Sequence, residues 1–223
     1  MTPFLLEQKG ANMQNTLLFC TGQSGSGKSY FIKNTLPDGL FYNLKSATTR
    51  DMRLGESDGT EYYFRDEEYF STTPLATKLW VNRDFWQPGQ KKWLYGVPET
   101  EIIQNLGRNF IYDVIEPKYI RQMMNWFRMH GLETIYSFKV AWFLPAKNNM
   151  DIISGRANMP NDLDVRKRNT CDANDFLDAG IWPDYILCPI KGQMDSRLMQ
   201  YIGMLYDEML WRQSKEPKSV ISK

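Results

Sequence analysis

Five apolar runs spaced along the chain predict the strands of one buried, parallel β-sheet. The runs are residues 16–20, 40–44, 110–115, 140–144 and 185–188. Strands that are buried on both faces carry continuous apolar runs, whereas half-exposed strands alternate between apolar and polar residues. Because segments with helical spacing separate these runs, we expect an α/β domain with right-handed crossover helices.

Four segments are predicted to be helical from their spacing and their end signals. They are residues 28–36, residues 99–106, a helix that begins at Pro117, and a C-terminal helix through Leu198 and Met209. A Pro-Asp-Gly turn ends the first helix, Gly107 ends the second, and proline suits the first turn of the third. We expect the polar tail after Arg212 to be frayed.

Residues 46–97 differ from the rest of the chain in being more polar and more aromatic. Apolar and polar residues alternate around Glu61–Phe64, and several glycine and proline turns interrupt the segment. We therefore predict one domain, 1–223, with a core formed by 1–45 and 98–223 and a small mixed subdomain at 46–97.

Composition narrows the classes of function. The chain has 223 residues, with 27 basic and 26 acidic side chains, one histidine and three cysteines. A net charge of +1 gives no broad field for a nucleic-acid polymer, and one histidine cannot build a multi-histidine metal site. Scattered cysteines indicate a reducing, cytoplasmic location, and no run of eighteen apolar residues suits a membrane span. We expect a monomer or a homodimer.

A glycine-rich loop directly follows the first apolar run and precedes the first helix. Its residues, Gly22, Gln23, Ser24, Gly25, Ser26, Gly27, Lys28 and Ser29, fit the pattern G-x-x-x-x-G-K-[ST]. Glycines let the backbone wrap closely around a polyphosphate, and the N–H groups of the loop then point inward as donors. Lys28 is a compact cation for the outer phosphates, and Ser29 offers a hydroxyl oxygen to Mg²⁺. The alternative is a flexible Gly/Ser loop.

A second candidate anion site lies at residues 46–64. Arg50 and Arg53 are three residues apart among hydroxyl side chains and a tyrosine. Arginine forks bind phosphate oxygens bidentately, so this pair suits one phosphate dianion. The residues alone leave an alternative open, which is a surface salt-bridge network of Arg50 and Arg53 with Asp51 and Glu56.

The same segment resembles the guanylate kinase signature T-T-R-x-x-R-x-G-E-x-x-G-x-x-Y-x-F. The matching residues are Thr48, Thr49, Arg50, Arg53, Gly55, Glu56, Gly59, Tyr62 and Phe64. Tyr95-Gly96 resembles a later Y-G motif of the family, Gly155-Arg156 with Arg166 and Arg168 resembles its lid, and residues 183–186 resemble its final strand.

This resemblance implies a P-loop nucleoside-monophosphate kinase with MgATP as the phosphate donor and GMP or dGMP as the acceptor. The residues that match the family's acceptor-phosphate site are Ser46, Arg50, Arg53, Tyr62 and Tyr95, and we count Glu56 with them. A lid at about 147–170 would carry two arginines, Arg156 and either Arg168 or Arg166, although these basic residues could also form only a solvated patch. Asp113 stands where a metal-side or acceptor-site carboxylate belongs, with a helix-cap or ion-pair role as the alternative.

Base recognition is where the chain departs from the family. Val97 follows the Y-G pair where the family has a serine or threonine that contacts guanine. The family's guanine-reading glutamate has no clean equivalent here, since Val81, Asn82 and Asp84 are all possible by position. The alternatives that stay open are a kinase for another (deoxy)nucleoside monophosphate, a guanylate-kinase-like binding module without turnover, and a P-loop ATPase.

Overall fold

The computed structural model describes residues 14–81, 93–114, 116–145, 182–188 and 192–215. The lid expected at about 147–170, with Arg156, Arg166 and Arg168, lies outside the described residues. The strands are β1 (Asn15–Gly22), β2 (Tyr42–Asn43), β3 (Ala47–Thr48), β4 (Tyr63–Phe64), β5 (Leu79–Val81), β6 (Trp93–Gly96), β7 (Phe110–Asp113), β8 (Tyr136–Phe143) and β9 (Tyr185–Leu187). The helices are α1 (Lys28–Asn34), α2 (Glu67–Thr72), α3 (Glu99–Ile103), α4 (Lys118–Met129) and α5 (Ser196–Lys215).

The main sheet is parallel and has the strand order β2-β7-β1-β8-β9. Strand β1 lies at its centre, where Leu17 is opposite Phe110 of β7 and Gly22 is opposite Phe143 of β8. Parallel strands of one sheet need crossover connections, and helix α4 lies in the one from β7 to β8. The prediction of an α/β domain with a parallel sheet is confirmed.

Alternate residues of β1 enter two different hydrophobic layers. Leu17 and Phe19 pack in the layer that includes α4, with Ile120, Met123 and Phe127. Leu18 and Cys20 pack in the opposite layer, with Phe31 of α1 and with Leu198, Ile202 and Leu205 of α5. Because both faces of β1 are buried, its middle residues, Leu17 to Cys20, are continuously apolar rather than alternating.

A second, smaller sheet has the order β4-β3-β6-β5 and lies within residues 47–96. It is mixed, since β3 pairs parallel to β4 and antiparallel to β6. Asp66 is the N-cap of helix α2, and its carboxylate accepts a hydrogen bond from the amide of Tyr69. The second sheet has the mixed strand pattern that was predicted for residues 46–97.

Several predicted boundaries differ from the structure for identifiable reasons. Strand β8 begins at Tyr136 rather than Val140, because half-buried Ser137 and Lys139 continue the ladder beside β1. The run at 40–44 contributes only Tyr42–Asn43 to the sheet, on its edge. Helix α5 continues to Lys215, so the expectation of a frayed tail after Arg212 was wrong for the first residues of that tail.

The helical segments also end earlier than expected at two places. Helix α1 ends at Asn34 instead of residue 36, and α3 ends at Ile103 instead of residue 106. Pro117 lies just before α4 as its N-cap.

Across the parts of the chain that the structure describes, we find no helix with both the length and the apolar character needed to cross a membrane.

Candidate active site

The glycine-rich loop lies at the carboxyl end of β1, at the edge of the parallel sheet where ligands bind in α/β folds. Gly22 has a φ of 155°, and a Cβ there would lie 2.3 Å from the carbonyl oxygen of Phe143. Gly27 has a φ of 93° and caps α1 without a side-chain hydrogen bond. Glycine at these two positions therefore allows the turn and the close approach of two strands.

Two polar side chains of the loop face inward. The Lys28 ammonium donates to the carbonyl oxygen of Gly22 at 2.6 Å and to that of Gln23 at 3.4 Å, so it lies folded over the loop. The hydroxyl of Ser26 is buried and has no hydrogen-bond partner among the described residues. A buried polar atom without a partner costs about 1–3 kcal/mol, so a ligand that bonds Ser26 would recover this energy.

Asp113 ends β7 beside the loop, as expected for a carboxylate near the phosphates. The Ser29 hydroxyl donates to its Oδ2 atom at 3.5 Å. Burial raises the pKa of Asp113, while the charge of Lys28 and the hydrogen bond from Ser29 act in the opposite direction. A hydroxyl and a carboxylate supply the oxygen ligands that Mg²⁺ prefers, so these two residues fit a magnesium ion.

Arg50 is buried, with only 4% of its side chain exposed. Its Nη2 atom donates to both carboxylate oxygens of Glu56 at 2.9 Å, and its Nη1 atom donates to the carbonyl oxygen of Asp51 at 2.6 Å. The rings of Tyr62 and Phe64 flank the guanidinium, each with its centroid 5.4 Å away. The pair of Arg50 and Glu56 is therefore interior and not a solvated surface bridge.

Arg53 belongs to the same cluster. Its amide donates to Glu56 at 2.8 Å, and its side chain lies close enough to Arg50 for the two charges to interact. Burial lowers the pKa of Arg53, and repulsion from the Arg50 cation lowers it further. Two partly desolvated cations in one place favour an anion between them, which is the property that a phosphate site needs.

Three tyrosines, Tyr62, Tyr95 and Tyr112, contact residues of the acceptor segment or one another. The Tyr62 ring meets the Tyr95 ring edge-on at 5.8 Å. The Ser46 hydroxyl lies 3.1 Å from the hydroxyl of Tyr112, the residue before Asp113. Burial is the main reason why the pKa of Tyr62 is raised. The acceptor segment therefore contacts β7, the strand that ends at Asp113 beside the loop.

Two of the positions that the resemblance connects with base recognition, Val97 and Val81, lie in the core. The side chain of Val97 is fully buried in the core, and its amide donates to the hydroxyl of Thr77 at 3.0 Å. Val81 is also fully buried in the core, which removes it as a base-reading candidate, and Asn82 and Asp84 lie outside the described residues. Gly96 is required here because a Cβ would lie 2.3 Å from the carbonyl oxygen of Thr77.

Three buried polar residues near the site were missed by sequence reasoning. They are Thr77, Glu101 and Tyr112, which are exposed by 1%, 5% and 1% respectively. Tyr112 lies in the apolar run 110–115, so the hydrophobic pattern assigns it to a buried strand without a polar role. Thr77 belongs to none of the motifs. Glu101 lies in a segment that was predicted only to be helical, and its partners are distant in sequence.

Comparison with known proteins adds evidence that is independent of this geometry. No protein-family model matches the chain. It is 38% identical to a guanylate kinase of Synechococcus sp. over 99 residues, which cover 42% of this chain and 50% of that protein. It is 36% identical to one of Carboxydothermus hydrogenoformans over 97 residues, covering 41% and 43%, and 42% identical to one of Mycoplasma genitalium over 62 residues, covering 26% and 25%.

The matched stretches span half or less of the length of these relatives. Among solved structures, the crystal structure of a guanylate kinase from Anaplasma phagocytophilum aligns with 93% of this chain and 89% of its own chain. That alignment has a TM-score of 0.47 and 18% sequence identity. Over the matched stretches the chain is similar to guanylate kinases.

Proposed function

We propose that this protein is a nucleoside-monophosphate kinase of the guanylate kinase type, which transfers the γ-phosphoryl group of ATP to GMP or dGMP. The observation that carries the proposal is a contact between two parts of the chain. The segment that holds buried Arg50 and half-buried Arg53 contacts β7 through the hydroxyls of Ser46 and Tyr112. Strand β7 ends at Asp113, whose carboxylate accepts from Ser29 of the glycine-rich loop. A loop for a polyphosphate and a paired-arginine site for a monophosphate are the two halves that such a transfer needs.

On the donor side, the backbone of the loop and Lys28 would hold the phosphates of ATP. Lys28 is only 2.6 Å from the Gly22 carbonyl oxygen, so it would exchange this bond for one to a phosphate when the nucleotide binds. The buried hydroxyl of Ser26 supplies a further donor. Ser29 and Asp113 would hold Mg²⁺, which neutralises phosphate charge when it is bound.

On the acceptor side, Arg50 and Arg53 would bind the phosphate of the acceptor, and Ser46, Tyr62 and Tyr95 would complete its surroundings. Glu56 acts through Arg50, because both of its oxygens accept from that guanidinium. A phosphate monoester is already largely ionised at neutral pH, so orientation and charge neutralisation suffice and no general base is required.

We further propose the domain arrangement inferred from the sequence. Residues 46–97 act as the acceptor-binding subdomain, and a lid at about 147–170 closes over a core of 1–45 and 98–223. In that lid, Arg156 and either Arg168 or Arg166 would stabilise the charge of the transferring group. The cysteine pattern also leads us to propose a cytoplasmic location, since Cys20 and Cys188 are free and buried.

A kinase for a different nucleoside monophosphate is the second candidate. It is favoured by one observation: Val97 is buried and apolar, so its side chain gives a guanine base no hydrogen bond. One lost hydrogen bond costs about 0.5–1.5 kcal/mol, which weakens a base preference by roughly tenfold at most. We therefore keep GMP and dGMP as the first acceptors to be tested.

The experiment is a coupled assay of ADP release with ATP and GMP, dGMP, AMP, dAMP, CMP, UMP or dTMP as the acceptor. We expect ADP release to depend on an added monophosphate and to be fastest with GMP or dGMP. Fast turnover with another base instead would replace the acceptor but keep the kinase. Acceptor binding without turnover would support a binding module, and ADP release without any acceptor would support an ATPase.

A further inference from the structure

Glu101 is a buried carboxylate that joins the two sheets. Its Oε1 atom accepts from the hydroxyl of Tyr42 at 3.0 Å and from the amide of Lys45 at 3.1 Å. Its Oε2 atom accepts from the hydroxyl of Tyr63 at 2.7 Å. Tyr42 belongs to the main sheet and Tyr63 to the second sheet, so one side chain of α3 holds both.

The bond to Tyr63 holds the first residue of β4, which directly follows Tyr62. Successive side chains of a strand point to opposite faces, and β4 consists of only Tyr63 and Phe64. On one side Tyr62 contacts Arg50 and Tyr95, whereas Tyr63 reaches Glu101 on the other. A short strand has few backbone bonds to hold it, so a side-chain hydrogen bond from Tyr63 to Glu101 adds to the few that fix its position.

The backbone of the same strand also contacts the acceptor segment. The amide of Tyr63 donates to the carbonyl oxygen of Ser46 at 2.9 Å, and the amide of Arg65 donates to that of Thr48 at 2.9 Å. A shift of this strand would therefore also move the backbone of Ser46 and Thr48, which belong to the acceptor segment. Burial and the Glu101 carboxylate raise the pKa of Tyr63 and of Tyr42, so both phenols stay protonated donors at neutral pH.

We propose that Glu101 is a positioning residue for the acceptor: through Tyr63 it fixes the strand beside Tyr62, and so the geometry of the phosphate site, while it leaves the donor loop untouched. This inference rests on the proposed kinase function. It assigns a role in acceptor binding to a residue outside the signature and outside the phosphate loop.

Two variants separate this role from a general contribution to stability. Tyr63→Phe removes the hydroxyl that links Glu101 to the second sheet. Tyr42→Phe is the matched control, because it removes a hydroxyl that donates to the same carboxylate from the main sheet. The Lys45 amide still donates to Oε1 in this variant. Each variant removes one oxygen atom and keeps the aromatic ring.

The measurement is the KM for the acceptor and the KM for ATP in each variant. For Tyr63→Phe we expect the acceptor KM to rise about tenfold, since a hydrogen bond to a charged group is lost, and the ATP KM to stay within about twofold. For Tyr42→Phe both constants should change less than about threefold. An unchanged acceptor KM in Tyr63→Phe, or equal increases in both constants, would overturn the proposal.

Hydrogen exchange without nucleotide gives a second readout that does not need turnover. In Tyr63→Phe the amides of Tyr63 and Arg65 should exchange at least about fivefold faster, while the amide of Tyr42, bonded to Asn109, should keep its rate. Equal rates in wild type and Tyr63→Phe would contradict the anchoring role. If the wild type phosphorylates no monophosphate, the kinase proposal fails, and the exchange comparison still decides whether Glu101 anchors the strand.

Discussion

Replacing Arg50 with lysine tests whether the buried guanidinium fork, rather than positive charge alone, grips the acceptor phosphate. The substitution keeps one positive charge at this position. It removes the planar fork that bonds Glu56 through both oxygens, and the flat face that lies between Tyr62 and Phe64. Lysine cannot replace a bidentate, stacked arginine at such a site.

The size of the effect follows from the burial of Arg50. Only 4% of the side chain is exposed, so a lost charged hydrogen bond is not replaced by water. Such bonds contribute about 1.5–3 kcal/mol, which corresponds to an increase of about 10- to 150-fold in the acceptor KM. The ATP KM should change less than about threefold, because Arg50 lies in the acceptor segment.

Arg65→Lys is the matched control. Arg65 forms a salt bridge of the same length, 2.9 Å, with Asp58 and lies over the rings of Tyr63 and Tyr69, but 34% of its side chain is exposed. Exposed ion pairs contribute little, so we expect its acceptor KM to change no more than about threefold.

The assay is steady-state ADP release at saturating ATP with the acceptor concentration varied, for wild type and both variants. Urea unfolding of each variant checks that the folded protein is being compared. Equal acceptor KM values for Arg50→Lys and Arg65→Lys would refute the reasoning, since the burial of an arginine would then make no difference to binding of the acceptor phosphate.

Three further changes test the donor side. Lys28→Met should leave the fold intact and lower kcat at least about a hundredfold, which steady-state kinetics and circular dichroism would check together. Gly22→Ala should lower the free energy of unfolding by about 1–3 kcal/mol or more, because the new Cβ would meet the Phe143 carbonyl oxygen; urea titration measures this. The raised pKa of Asp113 means that its carboxyl group holds a proton more tightly in the folded chain than in the unfolded chain. The stability of the fold therefore falls as the pH rises from the ordinary pKa of 3.8 through the pKa in the folded state. Asp113→Asn should therefore raise the free energy of unfolding at pH 7 while abolishing activity, and a stability profile without this gain would contradict the assignment.

The main sheet could be predicted because burial on both faces leaves a simple signal. Leu17 through Cys20 are all apolar, and β1 indeed lies at the centre of the sheet with a hydrophobic layer on each side. The signal fails where a strand leaves the core: Ser137 and Lys139 are polar, yet their backbone continues the ladder with β1. Backbone pairing does not require apolar side chains, so apolar runs underestimate strand length.

The candidate site was predictable only where its residues are close together in the sequence. The glycine-rich loop and the segment from Ser46 to Phe64 each bring their polar groups together locally. Glu101 has no such signal, because Tyr42 and Tyr63 are 59 and 38 residues away from it along the chain. The burial of Val97 depends on the packing between the two sheets, which no local pattern encodes.

Transfer of a labelled phosphoryl group tests the central claim most directly. ATP labelled at the γ-phosphorus is incubated with wild-type protein, Mg²⁺ and GMP or another monophosphate, and the products are separated by chromatography. The account predicts that the label moves to the β-position of the nucleoside diphosphate formed from the acceptor, with little label in inorganic phosphate. Label that appears only in inorganic phosphate, at a rate independent of every monophosphate, would contradict it.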